Sequence, residues 1–299
     1  MNLPKVTRQD RRILDASARI SGDAPTDQDK AFLARQLVQA TLPHADPGNV
    51  PVWTRTNGNV TLVIQQGTSK GQLLGYPYGT IPRLLLYWMT TEAIRTKETK
   101  LILGDSLAAF MDELGLDSRR KGPRSDRVRL EQQMRRLFAA RITFEGDIEQ
   151  GDLEGEATEY PRIAKKTMFW WNRKDPEQRT LWESWVLLDD DFFKSITANP
   201  VPVDLRALRA IKRSPLALDL YSLLTYQAFR ASTSGRSMFM TWRQLQTALG
   251  TSYADHADLR KAVKDALRKI EAVYPGLELG GREGGLEVLP RSLPAIAPR

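Results

Sequence analysis

Cysteine is absent from the 299-residue sequence, and histidine occurs only twice, at His44 and His256. These absences exclude disulfides, thiol catalysis, cysteine-based zinc and iron–sulfur sites, and any metal site built on several histidines, including the paired-histidine site of rolling-circle nickases. No window approaches 18 uncharged apolar residues, which excludes a membrane-spanning helix. The N-terminal MNLPKVTRQDRR has no apolar stretch of the secretory type, so a cytoplasmic location is expected. GTSKG at 67–71 lacks the spacing of a phosphate loop, and no GxGxxG occurs. No nucleophile, base and orienting group can be assembled, and the carboxylates form no recognised catalytic pair. The expectation is a protein without enzymatic activity, cofactor or metal.

What is present is positive charge. Lys and Arg number 44 against 36 Asp and Glu, a net charge of +8. That balance favours a polyanion such as nucleic acid, provided the charge is clustered. It is. Between Arg119 and Arg141 lie nine basic residues opposed only by Asp126 and Glu131, a local balance of +7.

Length predicts two domains. Residues 1–28 are polar and read as a weakly ordered arm with one short helix around Arg11–Ile20. Asp27–Leu42 carries Phe32, Leu33, Leu37 and Val38 at helical spacing. Asn57-Gly58 between two extended runs, VWTRT and NVTLVIQ, predicts a β-hairpin with a two-residue turn. A helix follows from Tyr76, with Leu84, Leu85, Tyr87, Trp88, Thr91 and Ile94 on its apolar face. Leu101–Leu103 is extended. Ser106 caps Leu107–Leu114, which Gly115 ends. Ser125–Arg141 is a third helix with Leu130, Met134, Leu137 and Phe138 inward. Ile142–Phe144 and Ile163–Trp171 are extended. Three helices followed by a hairpin is the order of a winged helix.

The same order recurs. Ser214-Pro215 opens a helix through Arg230, Met238–Met240 is extended, Thr241 caps Trp242–Leu249, and Gly250 ends it. Asp255–Val273 is again a third helix, with Leu259, Val263, Ala266, Leu267 and Ile270 inward. Leu277–Leu279 and Leu286–Leu289 flank a glycine-rich tip at 280–285. Tyr87 and Tyr221 are 134 apart, Ser106 and Thr241 135, Leu130 and Leu259 129. The drop of six places a longer, basic loop before the third helix of the first copy. The fold class expected is α+β, two tandem winged-helix domains related by internal duplication (29–200 and 201–299) with a flexible arm at 1–28.

The basic loop contributes Arg119, Arg120, Lys121 and Arg124. On the third helix, the side opposite Leu130, Met134 and Phe138 carries Ser125, Arg129, Gln132 and Arg136. Arg and Gln pair bidentately with guanine and adenine edges. In the second copy the corresponding side carries Lys261, Lys264 and Arg268, which suit phosphates better than bases. Arg282 at the hairpin tip is either a phosphate or minor-groove contact or a turn residue in solvent. Arg206, Arg209, Lys212 and Arg213 form either a backbone clamp or a solvated linker helix.

The acids Asp147, Glu149, Asp152, Glu154, Glu156 and Glu159 read as a solubilising loop, or alternatively as a docking surface for a basic protein. Asp189–Asp191 reads as a helix N-terminal acid run rather than a metal cluster. Trp170, Trp171, Trp182 and Trp185 read as core aromatics in preference to a base-stacking platform. His256 reads as a surface histidine.

PYGTIPRLLLYWMTTEAIRT (77–96), LGDSLAAFMDELGL (103–116), SDRVRLEQQMRRLF (125–138) and AFLARQLVQATLPH (31–44) resemble the plasmid-encoded RepA replication initiators. The resemblance runs from about Ala31 to the C-terminal hairpin. It implies binding to repeated double-stranded DNA sites (iterons) in a plasmid origin, opening of an adjacent AT-rich segment, and recruitment of host initiator proteins and the replicative helicase. Initiators of this class often repress their own promoter as dimers, so a homodimer is implied as well. It maps no catalytic motif onto the chain. The competing expectation is a plasmid-borne transcriptional repressor or partition-type DNA-binding protein of the same fold.

Overall fold

Why the chain forms its elements can be followed in a computed structural model, which describes residues 7–58, 60–150, 153–159, 162–169, 184–250 and 255–297. Helix α1 (Arg8–Gly22) opens on a capping box between Thr7 and Asp10. A short 3-10 turn at Asp27–Asp29 leads into β1 (Lys30–Ala34) and the brief α2 (Arg35–Gln39). β2 (Trp53–Asn57) and β3 (Val60–Gln65) form the expected hairpin. Asn57 pairs with Val60, so the turn sits one residue later than the Asn-Gly signal suggested, with Gly58 at φ +62°. β4 (Thr68–Ser69) and β5 (Gln72–Leu73) are a minimal ribbon.

α3 (Thr80–Thr96), β6 (Lys100–Ile102), α4 (Leu107–Glu113) and α5 (Asp126–Ala139) follow. Ser106 and Ser125 accept backbone N–H groups as N-caps of α4 and α5. β7 (Arg141–Gln150), β8 (Leu153–Glu159), β9 (Ala164–Met168), β10 (Trp185–Leu188), α6 (Asp190–Ala198) and β11 (Pro200–Asp204) come next. The chain ends with α7 (Leu205–Ile211), α8 (Pro215–Ser234), β12 (Met238–Thr241), α9 (Trp242–Leu249), α10 (His256–Glu271) and β13 (Gly285–Val288). Ser214, Thr241 and Asp255 cap α8, α9 and α10, and Gly250 closes α9 at φ +63°.

The chain divides into two units. Unit 2 is Ala34–Pro200 and unit 1 joins Met1–Leu33 to Val201–Arg299. In unit 2, α3, α4 and α5 pack around Leu85, Met89, Phe110, Leu130, Met134 and Leu137, all fully buried. Trp88 meets Phe110 edge-on at 5.0 Å, and its indole N–H donates to Glu113 at 3.0 Å. Against these helices lies a sheet in the order β6–β10–β9, all antiparallel, with Leu101, Val186 and Leu188 inward. A second sheet, β2–β3–β7–β8, adds β7 to the hairpin through Leu62 opposite Phe144 and Ile64 opposite Ile142. Arg83, almost fully buried, donates to the carbonyls of Leu42, Pro43 and Gly79 and so fixes the entry to α3.

In unit 1, α8, α9 and α10 pack around Leu220, Tyr221, Leu224, Leu245, Leu259, Val263 and Ile270. β12 pairs antiparallel with β13, and Leu279 bridges to Val288. Both units share helix, strand, helix, helix, and in each the strand before the middle helix (β6, β12) pairs with a later one (β10, β13); in unit 2, however, β7, β8 and β9 intervene after α5, and the expected hairpin of 142–144 with 163–171 does not form, because β7 joins β3 and β8 while β9 pairs with β10.

Three further sequence expectations are corrected. Of the arm expected at 1–28, residues 1–6 lie outside the described residues and 7–28 are not loose: α1 packs on α7 with Ile13 buried, and Arg206 donates to the carbonyls of Asp23 (3.0 Å) and Arg19 (3.4 Å) at its C-terminal end. A long helix over 27–42 does not form. Ala31 and Leu33 alternate with half-buried residues, a strand pattern, and β1 is completed by pairing with β11. Arg206 is neither a DNA clamp nor a solvated linker residue, since it grips the buried Asp204 carboxylate through Nε and Nη2. Trp170, Trp171, Trp182 and Asp152 lie outside the described residues.

Candidate nucleic-acid interface

The basic loop leaves α4 at Gly115, whose φ of +69° reverses the chain, and reaches α5 at Ser125. Arg119, Arg120, Lys121 and Arg124 are all exposed. Among the described residues, none of their side chains has an ion-pair partner. Unpaired surface cations next to a helix N-terminus are an electrostatic footprint suited to phosphates.

On α5, the buried row Leu130, Met134, Leu137 and Phe138 turns Val128, Arg129, Gln132 and Arg135 to solvent. Arg129 touches Asp126 at 3.3 Å, an exposed contact worth at most about 1 kcal/mol and easily exchanged for DNA.

Two of the residues expected on this face belong to the scaffold. Ser125 is 2% exposed because an N-cap turns its hydroxyl back onto the helix, where it accepts the Val128 N–H. Arg136 reaches across to Asp46 (3.2 Å) and the Tyr76 carbonyl (3.2 Å), lies on the Tyr78 ring and packs against Gly75. The true outward face is rotated toward Val128 and Arg135, which the sequence reading missed. The difference turns on Gln133. It is buried and accepts the Tyr78 N–H at 3.0 Å, which brings the opposite side of the helix round by one position. Val128, 44% exposed, offers an apolar contact of the kind a thymine methyl accepts.

In unit 1, Lys261, Lys264 and Arg268 are exposed and line a groove with Ala257, Arg260, Asp255 and Asp265. Arg268 pairs with Asp265 at 2.9 Å, both ends in solvent. Arg282 stands over the Phe239 ring at 4.1 Å, and Arg260 over Trp242 at 5.4 Å. The Trp242 N–H donates to the Gly284 carbonyl (3.2 Å), which ties the start of α9 to the glycine-rich hairpin.

The acids at 189–191 serve the helix. Asp189 is the N-cap of α6, and Asp190 pairs with Lys165, which holds its carboxyl below the usual range. Among the described residues no three His, Asp or Glu converge on a metal position, and no helix is long and apolar enough to cross a membrane. The strands β7 and β8 place Asp147 opposite Glu156 and Glu149 opposite Glu154.

The chain is thus a mixed α+β protein with small sheets and exposed cationic helix faces. Residues 76–244 match the family described as plasmid-encoded RepA protein, more than half of the chain, and the chain belongs to that family of replication initiators. Among solved structures, the fold resembles domains 2 and 3 of RctB, in a crystal structure of selenomethionine derivatives, with a TM-score of 0.51 and 12% identity. That match covers 84% of this chain and 94% of the other. A second structure of RctB domains 2–3 matches with a TM-score of 0.48, also at 12% identity, covering 85% of this chain and 94% of the other. No curated protein matches.

Proposed function

We propose that this protein initiates plasmid replication by binding repeated double-stranded sites (iterons) in the origin through two winged-helix modules, one in each unit. It promotes opening of the adjacent duplex, and it recruits the host initiator proteins and replicative helicase in the cytoplasm without enzymatic chemistry of its own. A homodimer is the form proposed for repression of its own promoter.

The observation that carries this reading is the run of unpaired cations, Arg119 to Arg124, that leads into the outward Arg129, Gln132 and Arg135 of α5. The helix–strand–helix–helix order common to α3–β6–α4–α5 and α8–β12–α9–α10 supports the modular part. In each, the third helix is the one with a solvent-facing cationic side, which is where a winged helix meets the major groove.

A nuclease footprint on the protein's own replicon, repeated across a salt series, tests it. Protection at regularly spaced direct repeats with a steep salt slope is expected. Protection of a single inverted repeat at a promoter would instead identify a repressor, and no protection at any salt would overturn DNA binding. On the protected repeats, Arg129→Ala should cost about 1–3 kcal/mol and relax base preference at one position.

A further inference from the structure

We propose that the outer face of the β6–β10–β9 sheet in unit 2 is a docking surface for an acidic segment of a host replication protein. A row of three apolar side chains seats that segment, and Lys100 and Lys166 meet its carboxylates. The inference rests on the reading of the protein as an initiator that recruits host proteins, and it supplies the surface that reading leaves open.

The face follows from strand alternation. Leu101, Val186 and Leu188 turn into the core and are buried, so their neighbours along β6 and β10 turn the other way. The antiparallel register sets Ile102 and Met168 on either side of Trp185, and Lys100 and Lys166 on either side of Leu187. Two cross-strand rows result, Ile102–Trp185–Met168 and Lys100–Leu187–Lys166. Neighbouring strands lie about 4.8 Å apart, so each row is about 10 Å across, close to the width of one helix of a partner.

The first row is apolar and open. Ile102 is 39% exposed and Met168 38%, with Trp185 half-buried between them. Leu187 continues the apolar surface into the second row, also half-buried. Packing across the strands stabilises the sheet by itself; the lysines are what point to a partner.

Lys100 and Lys166 are exposed, and among the described residues neither has a carboxylate partner. The Lys100 ammonium stands 5.3 Å from the centre of the Trp185 ring, which holds it at the rim of the apolar row. Lys165, next to Lys166, is by contrast already paired with Asp190. An apolar strip rimmed by unpaired cations complements a segment that carries apolar side chains between carboxylates. Nucleic acid fits the face less well. Ile102, Met168 and Leu187 offer no flat ring for a base to stack on, and Trp185 is half-buried with Lys100 over it.

The test uses the full-length protein on its origin repeat, with the purified host initiator and the purified replicative helicase as probes, over a salt series. At least one probe should bind, more weakly as salt rises. Lys100→Glu/Lys166→Glu should weaken that binding about ten-fold or more, because it sets like charges against the partner. Ile102→Thr/Met168→Thr, which keeps residues suited to strands, should weaken it about ten-fold. Both variants should keep the far-ultraviolet circular dichroism and the origin footprint of the wild type.

If the wild type protects no repeat, the initiator reading falls and the docking surface with it. If it protects the repeats but binds neither probe, recruitment and its surface fall while DNA binding stands. If a probe binds and both variants hold it as the wild type does, the docking surface alone is overturned. Full binding by the lysine variant alone overturns the acidic character of the partner. If the variants hold the probe but lose binding to oligo(dT), or lose self-association of the protein, the face serves single-stranded DNA or a second copy, and the proposal is overturned.

Discussion

Replacing Arg206 with alanine should release α1. Two effects of different size are involved. The Asp204 carboxylate is 4% exposed and Arg206 13%, so removing the guanidinium strands a buried charge, a change that typically costs about 3–5 kcal/mol. Asp204 keeps its N-cap bond to the residue 206 N–H at 2.8 Å, which places the cost toward the lower end. The second effect is local. The Arg206 Nη1 donates at 3.0 Å to the Asp23 carbonyl and more weakly to Arg19, and one hydrogen bond from a charged donor is worth about 1.5–3 kcal/mol. Apart from these bonds the helix is held mainly by Ile13, whose burial is worth about 1.5–3 kcal/mol.

Losing one of two comparable anchors should make the α1 amides exchange about ten- to a hundred-fold faster, since about 1.4 kcal/mol is a factor of ten. Hydrogen exchange read by mass spectrometry resolves this helix by helix. Amides of α5, in the other unit, should be unchanged. The double variant Asp204→Asn/Arg206→Ala should recover much of the global stability while α1 stays fast. Unchanged α1 exchange in Arg206→Ala, alongside a lower unfolding midpoint, would refute the argument: Arg206 would then serve Asp204 only.

Three further outcomes are expected. Ser125→Ala removes an N-cap and should lower the unfolding free energy by about 0.5–2 kcal/mol without changing the ratio of specific to random DNA binding; a changed ratio at unchanged stability would return Ser125 to the interface. Lys261→Ala should weaken binding about uniformly across sequences and reduce the salt slope by roughly one unit, and a sequence-dependent loss would show that it reads bases. Burial pushes the Tyr274 phenol well up, and its hydroxyl donates to the Leu293 carbonyl at 2.8 Å. The unfolded phenol ionises near pH 10, so above that the unfolded state binds fewer protons and stability falls as pH rises. Urea midpoints between pH 9 and 11 should fall more steeply in the wild type than in Tyr274→Phe, and equal slopes would refute the link.

Much of the helical framework is legible in the sequence, because it is written locally. Ser106 and Thr241 each precede an apolar run and each proves to be an N-cap, and Ser214-Pro215 opens α8. The hairpin at 53–65 is announced by Asn57-Gly58, although its register is decided by the pairs Leu62 makes with Arg55 and Phe144. What is not legible depends on distant partners. Phe32 and Leu33 have a helical neighbour spacing, but β1 is decided by β11, about 170 residues later. The outward face of α5 was off by a fraction of a turn, because nothing local says that Gln133 would be claimed by the Tyr78 backbone or Arg136 by Asp46. In α10 the outward Lys261, Lys264 and Arg268 follow from the apolar row alone, since no polar residue is drawn inward there.

The division of the chain has a consequence for its synthesis. Unit 2 is one uninterrupted stretch, whereas unit 1 is made of a head and a tail with the whole of unit 2 threaded between them. As the chain emerges from the ribosome, the inserted stretch has all its partners within reach and can close first. The head, with α1 and β1 already made, must wait for Val201 onward before it has anything to pack on, and the loop to be closed then spans more than half the molecule. A fragment beginning at residue 201 would lack both a strand and a helix of its own unit. The stretches 1–33 and 201–299 are therefore both needed to finish the same half of the protein, and a variant lacking α1 and β1 should forfeit the fold that the later stretch completes.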